Sequence, residues 1–494
     1  MRFKLEDDEK MKNNRINILN QSIEEVEREI NVIDLHRYSY KYRTEQEKSH
    51  GFRAKKVSLA ILEQIRQYLS GNHKKLFQES IVDERKREKL GEIIADYITQ
   101  QAIVVPGFNA DDLLKHILHA LAGLGPIQPL MENEDITEIM VNGKNEVYVE
   151  ENGREYKTDI TFSSDEELLE VAMKIVNAAG ESLTSAKPYV DCRFPGMRIN
   201  IVNGLISGLG IVITIRKFAK DLRINDETIV TSGQASREML DAFEVFVKGK
   251  MNILIAGPTG SGKTELFKYL VKHIPDDERL LMLEDTAETR LKDIYPQKHI
   301  VPMECRFTSD PSTTVDYTVL LKNSLRQKPT RVAVGEVRGP EAVYMLEIFN
   351  TGHEGGFTTG HANSCADTVE RLVMMCLRSG MKLEPDIIGK WVAKTFDIVI
   401  FQEKMDDKVR RITEVVELVD YENGRVIYRP LFQFIPHKFE KEGNKITKIH
   451  GTHKQTGFIR LETAKRLFSR GISVKKIKPL LSEEDRGKIS DVSL

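Results

Sequence analysis

The sequence predicts an α/β protein whose main domain is a doubly wound parallel sheet, preceded by a small α+β domain and an N-terminal helical region. Three observations carry that expectation. An apolar run from Met251 to Ala256 stops at Gly257-Pro258, where a buried strand cannot continue, and helical spacing resumes from Glu265 to Ile274. From about residue 233 onward, strand-like and helix-like patterns alternate, which calls for parallel strands with helices on both faces. Near residue 125 the apolar period changes from that of helices to the two-residue alternation of short strands.

With 494 residues the chain exceeds one ordinary core, so two or three domains are expected. Its 73 Lys and Arg nearly balance 75 Asp and Glu, which argues against nucleic acid as the main partner, because binding phosphate backbones requires a basic surplus. The four cysteines, Cys192, Cys305, Cys365 and Cys376, are scattered without a C-x-x-C pair and read as reduced thiols of a cytoplasmic protein. The start MRFKLEDDEK has no apolar signal core, and no run of eighteen apolar residues follows. Any membrane contact is therefore expected through a partner.

In chain order, residues 1–56 hold an amphipathic stripe, Ile16, Leu19, Ile23, Val26, Ile30 and Ile33, then a Tyr-, Lys- and Glu-rich connection. The stripe is under three heptads long, too short to favour a coiled coil over a packed helix. Residues 57–124 carry helical periods (Ile61, Ile65, Leu69; Leu90, Ile94, Tyr97; Leu113, Ile117, Leu121), with Asn109 as N-cap of the last helix and GLGPIQPL as its end. Residues 125–218 form the α+β domain: strands at Ile136–Val141, Val147–Val149 and Tyr156–Phe162, an Asn152-Gly153 hairpin, a helix capped at Asp165 and closed by Gly180, then strands at Met197–Val202 and Ile211–Ile215. Residues 219–232 are polar and read as a linker, residues 233–436 as the P-loop domain, and residues 437–494 as a C-terminal extension.

The stretch Gly257, Pro258, Thr259, Gly260, Ser261, Gly262, Lys263, Thr264 fits G-x-x-x-x-G-K-[ST] without a mismatch. Its glycines turn backbone N–H groups toward a β-phosphate, Lys263 reaches the β/γ oxygens, and the Thr264 hydroxyl can ligate Mg²⁺. ATP with Mg²⁺ is thus the expected ligand. Two strands end in acids, Leu280–Leu283 in Glu284 and Arg331–Gly335 in Glu336, where carboxylates position water or metal. Gly335 stands where many such strands carry Asp. His353 and His361 flank a glycine-rich strand, and His361 is placed to sense a γ-phosphate.

These motifs resemble those of the type II and type IV secretion ATPase superfamily, the secretion and pilus motors, and most closely the CpaF-type branch of tight-adherence (Flp) pilus assembly. GPTGSGKT resembles its Walker A, LEDTAE (283–288) its Asp box, RVAVGEVRG (331–339) its Walker B, and TGHEGGFTTGHANS (351–364) its His box. The family's Walker B also has Gly before Glu. Upstream, GLGPIQPL with residues 136–153 and KPYVDCRFPGMRINIV with ITIRKF resemble the family's N-terminal domain, although the loop VNGLISGLGIV lacks its paired prolines. The tail HGTHKQTGFIRLETAKRLFSRGI resembles that of the CpaF branch, and the four-cysteine module of many type II motors has no counterpart.

The resemblance implies a RecA-like P-loop fold and a hydrolase that forms a homohexamer, works on an integral-membrane platform, and sits in the bacterial cytoplasm, peripheral at the inner face of the membrane. It also implies Glu284 as the water-activating base, Glu336 for metal and water positioning, and Arg193, Arg198 and Arg216 as N-domain arginines that approach the phosphates. Two other readings stay open: a conjugation-type or nucleic-acid translocating ATPase, and a nucleotide-dependent switch or scaffold with negligible turnover.

Overall fold

The computed structural model describes residues 57–81, 83–151, 153–308 and 310–489. They divide into two compact units, one of residues up to Phe194 together with Ile199–Ile215, the other of Pro195–Arg198 with Arg216 onward. The stripe Ile16–Ile33 and Asn152 lie outside the described residues. Among the described residues no helix is long and apolar enough to cross a membrane.

In the first unit, helices Leu59–Asn72, Glu84–Gln100 and Ala110–Ala122 bury most of the residues their periodicity marked, with Ile65, Leu69, Leu90, Ile94 and Ile117 in one core and Ile61 and Tyr97 half-buried against it. Asn109 caps the last of them, its Oδ1 accepting from Asp112 N at 2.7 Å. The sheet that follows contains β1 (Ile136–Asn142), β2 (Val147–Glu151), β3 (Arg154–Lys157), β4 (Tyr189–Phe194), β5 (Met197–Val202) and β6 (Val212–Lys217), in the order β3-β2-β1-β6-β5-β4.

Three details differ from expectation. β3 ends at Lys157 instead of Phe162: beyond it the chain stays alongside the approach to β2, but only with single hydrogen bonds, Thr158 N donating to Val147 O and Phe162 N to Lys144 O, each at 2.8 Å. Helix Asp165–Ala178 is capped by Ser164, whose Oγ accepts from Glu167 N at 3.2 Å, while Asp165 is its first residue and holds Lys144 Nζ at 2.9 Å. The stretch 219–232, read as a linker, contains helix Asp226–Thr231. Asn225 and Thr228 form its capping box, Ile229 is buried, and the Asp226 carboxylate accepts from Tyr269 OH at 3.0 Å and Lys272 Nζ at 2.7 Å. Its polar look is that of a solvated helix face.

The second unit is built on β7 (Ile253–Ala256), β8 (Leu280–Glu284), β9 (Ile300–Glu304), β10 (Arg331–Val334), β11 (Phe357–Gly360), β12 (Ile398–Lys404), β13 (Arg410–Glu422), β14 (Arg425–Glu442) and β15 (Lys445–Gln455). Their order is β15-β14-β13-β12-β7-β11-β10-β8-β9. The run from β12 through β7, β11, β10 and β8 to β9 is parallel, as expected, whereas β12 to β15 pair antiparallel. This meander was not foreseen, and β14 runs straight through residue 436, so the sheet does not stop there.

Burial on both faces explains why β7 shows no polar alternation: Ile253 and Ile255 enter one core, Leu254 and Ala256 the other. At the start of β7, the buried Asn252 ties several elements together. Its Oδ1 accepts from Gly355 N and Gly356 N, each at 2.8 Å, its Nδ2 donates to Thr395 O at 2.7 Å, and its N–H donates to Asp397 Oδ2 at 2.8 Å.

Helix Pro385–Thr395 packs so closely on β13 that a Cβ at Gly389 would lie 2.2 Å from Tyr421 Cδ1. On propensity alone, Gly389→Ala would stabilise by about 1 kcal/mol. Displacing a ring in a packed core costs about 1–3 kcal/mol, so the overpacking wins. Urea unfolding should show Gly389→Ala less stable than wild type.

Candidate functional site

The parallel strand order decides what meets at the sheet's C-terminal edge. The phosphate loop follows β7, His361 follows the adjacent β11, Glu336 stands two residues past the next strand, β10, and Glu284 ends the strand after that, β8. His353, by contrast, precedes β11 and so belongs to the opposite edge.

Backbone geometry makes the loop a cradle. Gly257, Gly260 and Gly262 have φ of 154°, 74° and 91°, which L side chains rarely adopt. A Cβ at Gly257 would also lie 1.9 Å from Gln402 O. Helix Lys263–Val271 starts directly from Gly262 with no side-chain cap, which leaves its first N–H groups to an anion. Ser261 Oγ is buried without a hydrogen-bond partner. Orphan donors at a positive helix end, beside a lysine, fit phosphate. Lys263 Nζ donates to Gly257 O and Pro258 O, both at 2.9 Å, and burial lowers its pKa to about 8, so it keeps its charge at neutral pH. Thr264 lies in the first turn of the same helix. No cluster of three His, Cys, Asp or Glu suited to a metal occurs among the described residues.

His361 joins two of these groups. Its Nδ1 lies 3.4 Å from Lys263 Nζ and its Nε2 lies 3.1 Å from Glu336 Oε1, while burial and then the Lys263 charge lower its pKa. A neutral ring with its proton on Nε2 serves both neighbours, accepting from the lysine and facing the carboxylate with N–H. Arg338 Nη2 holds the other oxygen of Glu336 at 2.5 Å. Lys263, His361, Glu336 and Arg338 thus stand in a row of close contacts, in which Glu336 Oε1 is buried and makes no hydrogen bond.

Glu284 is only 4% exposed, and burial raises its pKa to about 7. Thr289 steadies it, its N–H donating to Oε1 and its hydroxyl to Oε2, each at 2.9 Å. A carboxylate held near neutrality suits a general base. The structure also gives the reason for Gly335: a Cβ there would lie 3.2 Å from Glu284 Cγ. The glycine on β10 makes room for the acid on β8.

Arg193 lies on β4, Arg198 on β5 and Arg216 on β6. Thr289, Arg338, Gln402 and Arg410 also shape the site although the sequence reading passed over them. For Thr289 and Arg338 the signal was available, since each stands within five residues of a Glu already marked; for Gln402 and Arg410 none was.

A backbone cradle for phosphate, with acids at the ends of neighbouring parallel strands, defines a P-loop ATPase, and the chain is an enzyme of that class. Comparison with known proteins narrows it. The family model described as "Type II/IV secretion system protein" matches residues 120–432, and the chain belongs to that family. The type IV secretion system protein VirB11 of Brucella suis biovar 1 is 30% identical over 320 residues, covering 59% of this chain and 88% of that protein. The conjugal transfer protein TrbB of Rhizobium radiobacter is 31% identical over 304 residues, 60% of this chain and 87% of its own. Among solved structures, the Brucella suis VirB11 ATPase with sulphate is similar over 60% of this chain and 93% of that one, at 28% identity and a TM-score of 0.33.

The Glu284 shift has a testable sign. Below its ordinary pKa of 4.5 the carboxyl is protonated whether the chain is folded or not; between 4.5 and about 7 the folded state keeps a proton that the unfolded chain has lost. Stability therefore falls as pH rises through that window, by about 3 kcal/mol for a shift of this size, and levels off above it. Glu284→Gln should lack this slope. Urea unfolding at pH 5 and pH 8 should show the variant gaining about 2–3 kcal/mol on wild type across the interval.

Proposed function

We propose that the protein is a motor that hydrolyses ATP to power pilus assembly or protein secretion, of the CpaF-type branch, acting as a homohexamer on an integral-membrane platform at the inner face of the membrane. The observation that carries this is the continuous contact from Lys263 through His361 to Glu336, beside the buried Glu284. A site built only to bind nucleotide has no need of a carboxylate pushed toward neutral pKa at the edge of the cradle.

In this reading the loop N–H groups and Lys263 bind and orient the β/γ-phosphates, and Glu284 takes a proton from the attacking water. Mg²⁺ would be held by Thr264 and by phosphate and water oxygens, where it neutralises phosphate charge. Glu336, kept in place by Arg338, orients the water, and His361 reports the phosphate's presence to Glu336. Arg193, Arg198 and Arg216 supply positive charge to the γ-phosphoryl when the domains close, which links hydrolysis to motion.

A conjugation-type motor is the second reading, favoured by the names of two relatives, VirB11 and TrbB. Purification of the membrane protein bound to the chain, with an ATPase assay on added DNA, separates the two. A polytopic platform and no stimulation by DNA supports the first.

Lys263→Ala should abolish ATP turnover, and full activity would overturn the motor reading. Glu284→Gln and Glu336→Gln should still bind ATP in a filter assay but hydrolyse it about a hundredfold more slowly or worse. The Arg193, Arg198 and Arg216 alanine variants should lose single-turnover rate before affinity, the combined loss reaching roughly a thousandfold. Sedimentation with ATP and Mg²⁺ should show a hexamer; monomer throughout would count against the ring.

A further inference from the structure

We propose that Gln402 on β12 and Arg410 on β13 are positioning residues for this ATPase: they hold and polarise the peptides of the phosphate loop, and thereby set its affinity for the phosphates of ATP and ADP. The proposal rests on the ATP reading and deepens it.

A loop that turns its N–H groups inward turns carbonyls outward, where donors of the surrounding sheet can reach them. Two such donors come from outside the motif. Gln402, fully buried, donates from Nε2 to Ser261 O at 2.5 Å, and Arg410 donates from Nε to Gly260 O at 3.1 Å. These carbonyls belong to the peptides whose N–H groups are those of Gly262 and Ser261. A donor on the oxygen of a peptide draws charge along it and makes its N–H a stronger donor on the other side. One of the two donors carries a full positive charge, which strengthens the effect.

The Gln402 amide has only one sensible orientation. Its Oε1 accepts from Gln234 Nε2 at 3.2 Å, which directs Nε2 to the loop, and Gln234 O in turn accepts from Ile412 N on β13 at 2.8 Å. The same residues explain two of the loop's glycines. A Cβ at Gly257 would lie 1.9 Å from Gln402 O, and one at Gly262 would lie 2.8 Å from Gln402 Nε2 and 2.9 Å from Arg410 Cδ. Both ends of the loop are thus pressed against β12 and β13. Arg410 extends the contact to the rest of the meander: its neighbour Arg411 binds Asp407 through Nη1 and Nη2, each at 2.8 Å, and Asp407 Oδ2 accepts from Ile449 N on β15 at 2.9 Å.

Four variants test the assignment: Gln402→Met, which removes both amide hydrogen bonds at nearly constant length; Gln402→Glu, which sets a carboxylate against Ser261 O; Arg410→Ala; and Arg410→Lys. Each is titrated with a fluorescent ADP analogue, assayed for steady-state ATP hydrolysis, and melted to check folding. The Kd for the ADP analogue and the KM for ATP should rise about tenfold for Gln402→Met and Arg410→Ala, more for Gln402→Glu, with the rise in KM exceeding the fall in kcat. Arg410→Lys, which keeps a charged donor, should recover most of the loss. Unchanged Kd and KM in folded Arg410→Ala and Gln402→Met, with only the melting temperature lowered, would overturn the proposal and leave both as packing residues. Wild type and Lys263→Ala are titrated alongside: a wild type that binds no ADP analogue would overturn the ATP reading itself, a result distinct from the failure of this one.

Discussion

Asn252 is the constraint on which the motor sheet depends. Its buried amide satisfies the backbone at the entry to β11 and at the end of helix Pro385–Thr395, and its own N–H engages Asp397 just before β12. The strands leave that knot in matched register, Ile253 opposite both Phe357 and Ile398, and arrive together, Ala256 opposite both Gly360 and Phe401. Chemistry at the far edge is therefore aligned by hydrogen bonds at the near one. A buried amide with all of these bonds made specifies one register, where an apolar residue of similar size would tolerate several.

Much of the site was legible in the sequence because its parts are local. The phosphate loop, Glu284, Glu336 and His361 each end a short apolar strand, and a strand end is visible in a few residues. Strand order is not local, and it alone reveals that His361 stands between Lys263 and Glu336 while His353 lies at the other edge. Gln402 escaped notice for the same reason: it lies within β12, 141 residues after the carbonyl it binds. The antiparallel meander was missed because alternation of strand and helix was the pattern sought, and helix Asp226–Thr231 because a solvated helix with one buried isoleucine has the composition of a linker.

The pairing of Gly335 with Glu284 shows how a substitution on one strand is read on another. An aspartate in place of Gly335 would crowd the Glu284 side chain and add a second negative charge beside a carboxyl already pushed up by burial. With glycine at 335, Glu284 stands at this edge of the sheet in a dry setting while Glu336 follows one residue later.

β14 is 18 residues long, four and a half times the length of the 4-residue β7 at the heart of the sheet. At about 3.4 Å per residue it spans roughly 60 Å, and its residues 435–442 are exposed. β13 pairs with its first half, Arg425 to Gln433, and β15 with its second, Phe432 to Glu442, so beyond Gln433 it continues as a two-stranded ribbon with β15. Gln433, midway along β14, is level with the end of β7, and the roughly 30 Å from there to Glu442 turn a rotation of one degree into about 0.5 Å at the tip. A small rotation at the centre of the sheet is thus a larger displacement at the end of this ribbon than at the strands that carry the phosphate loop.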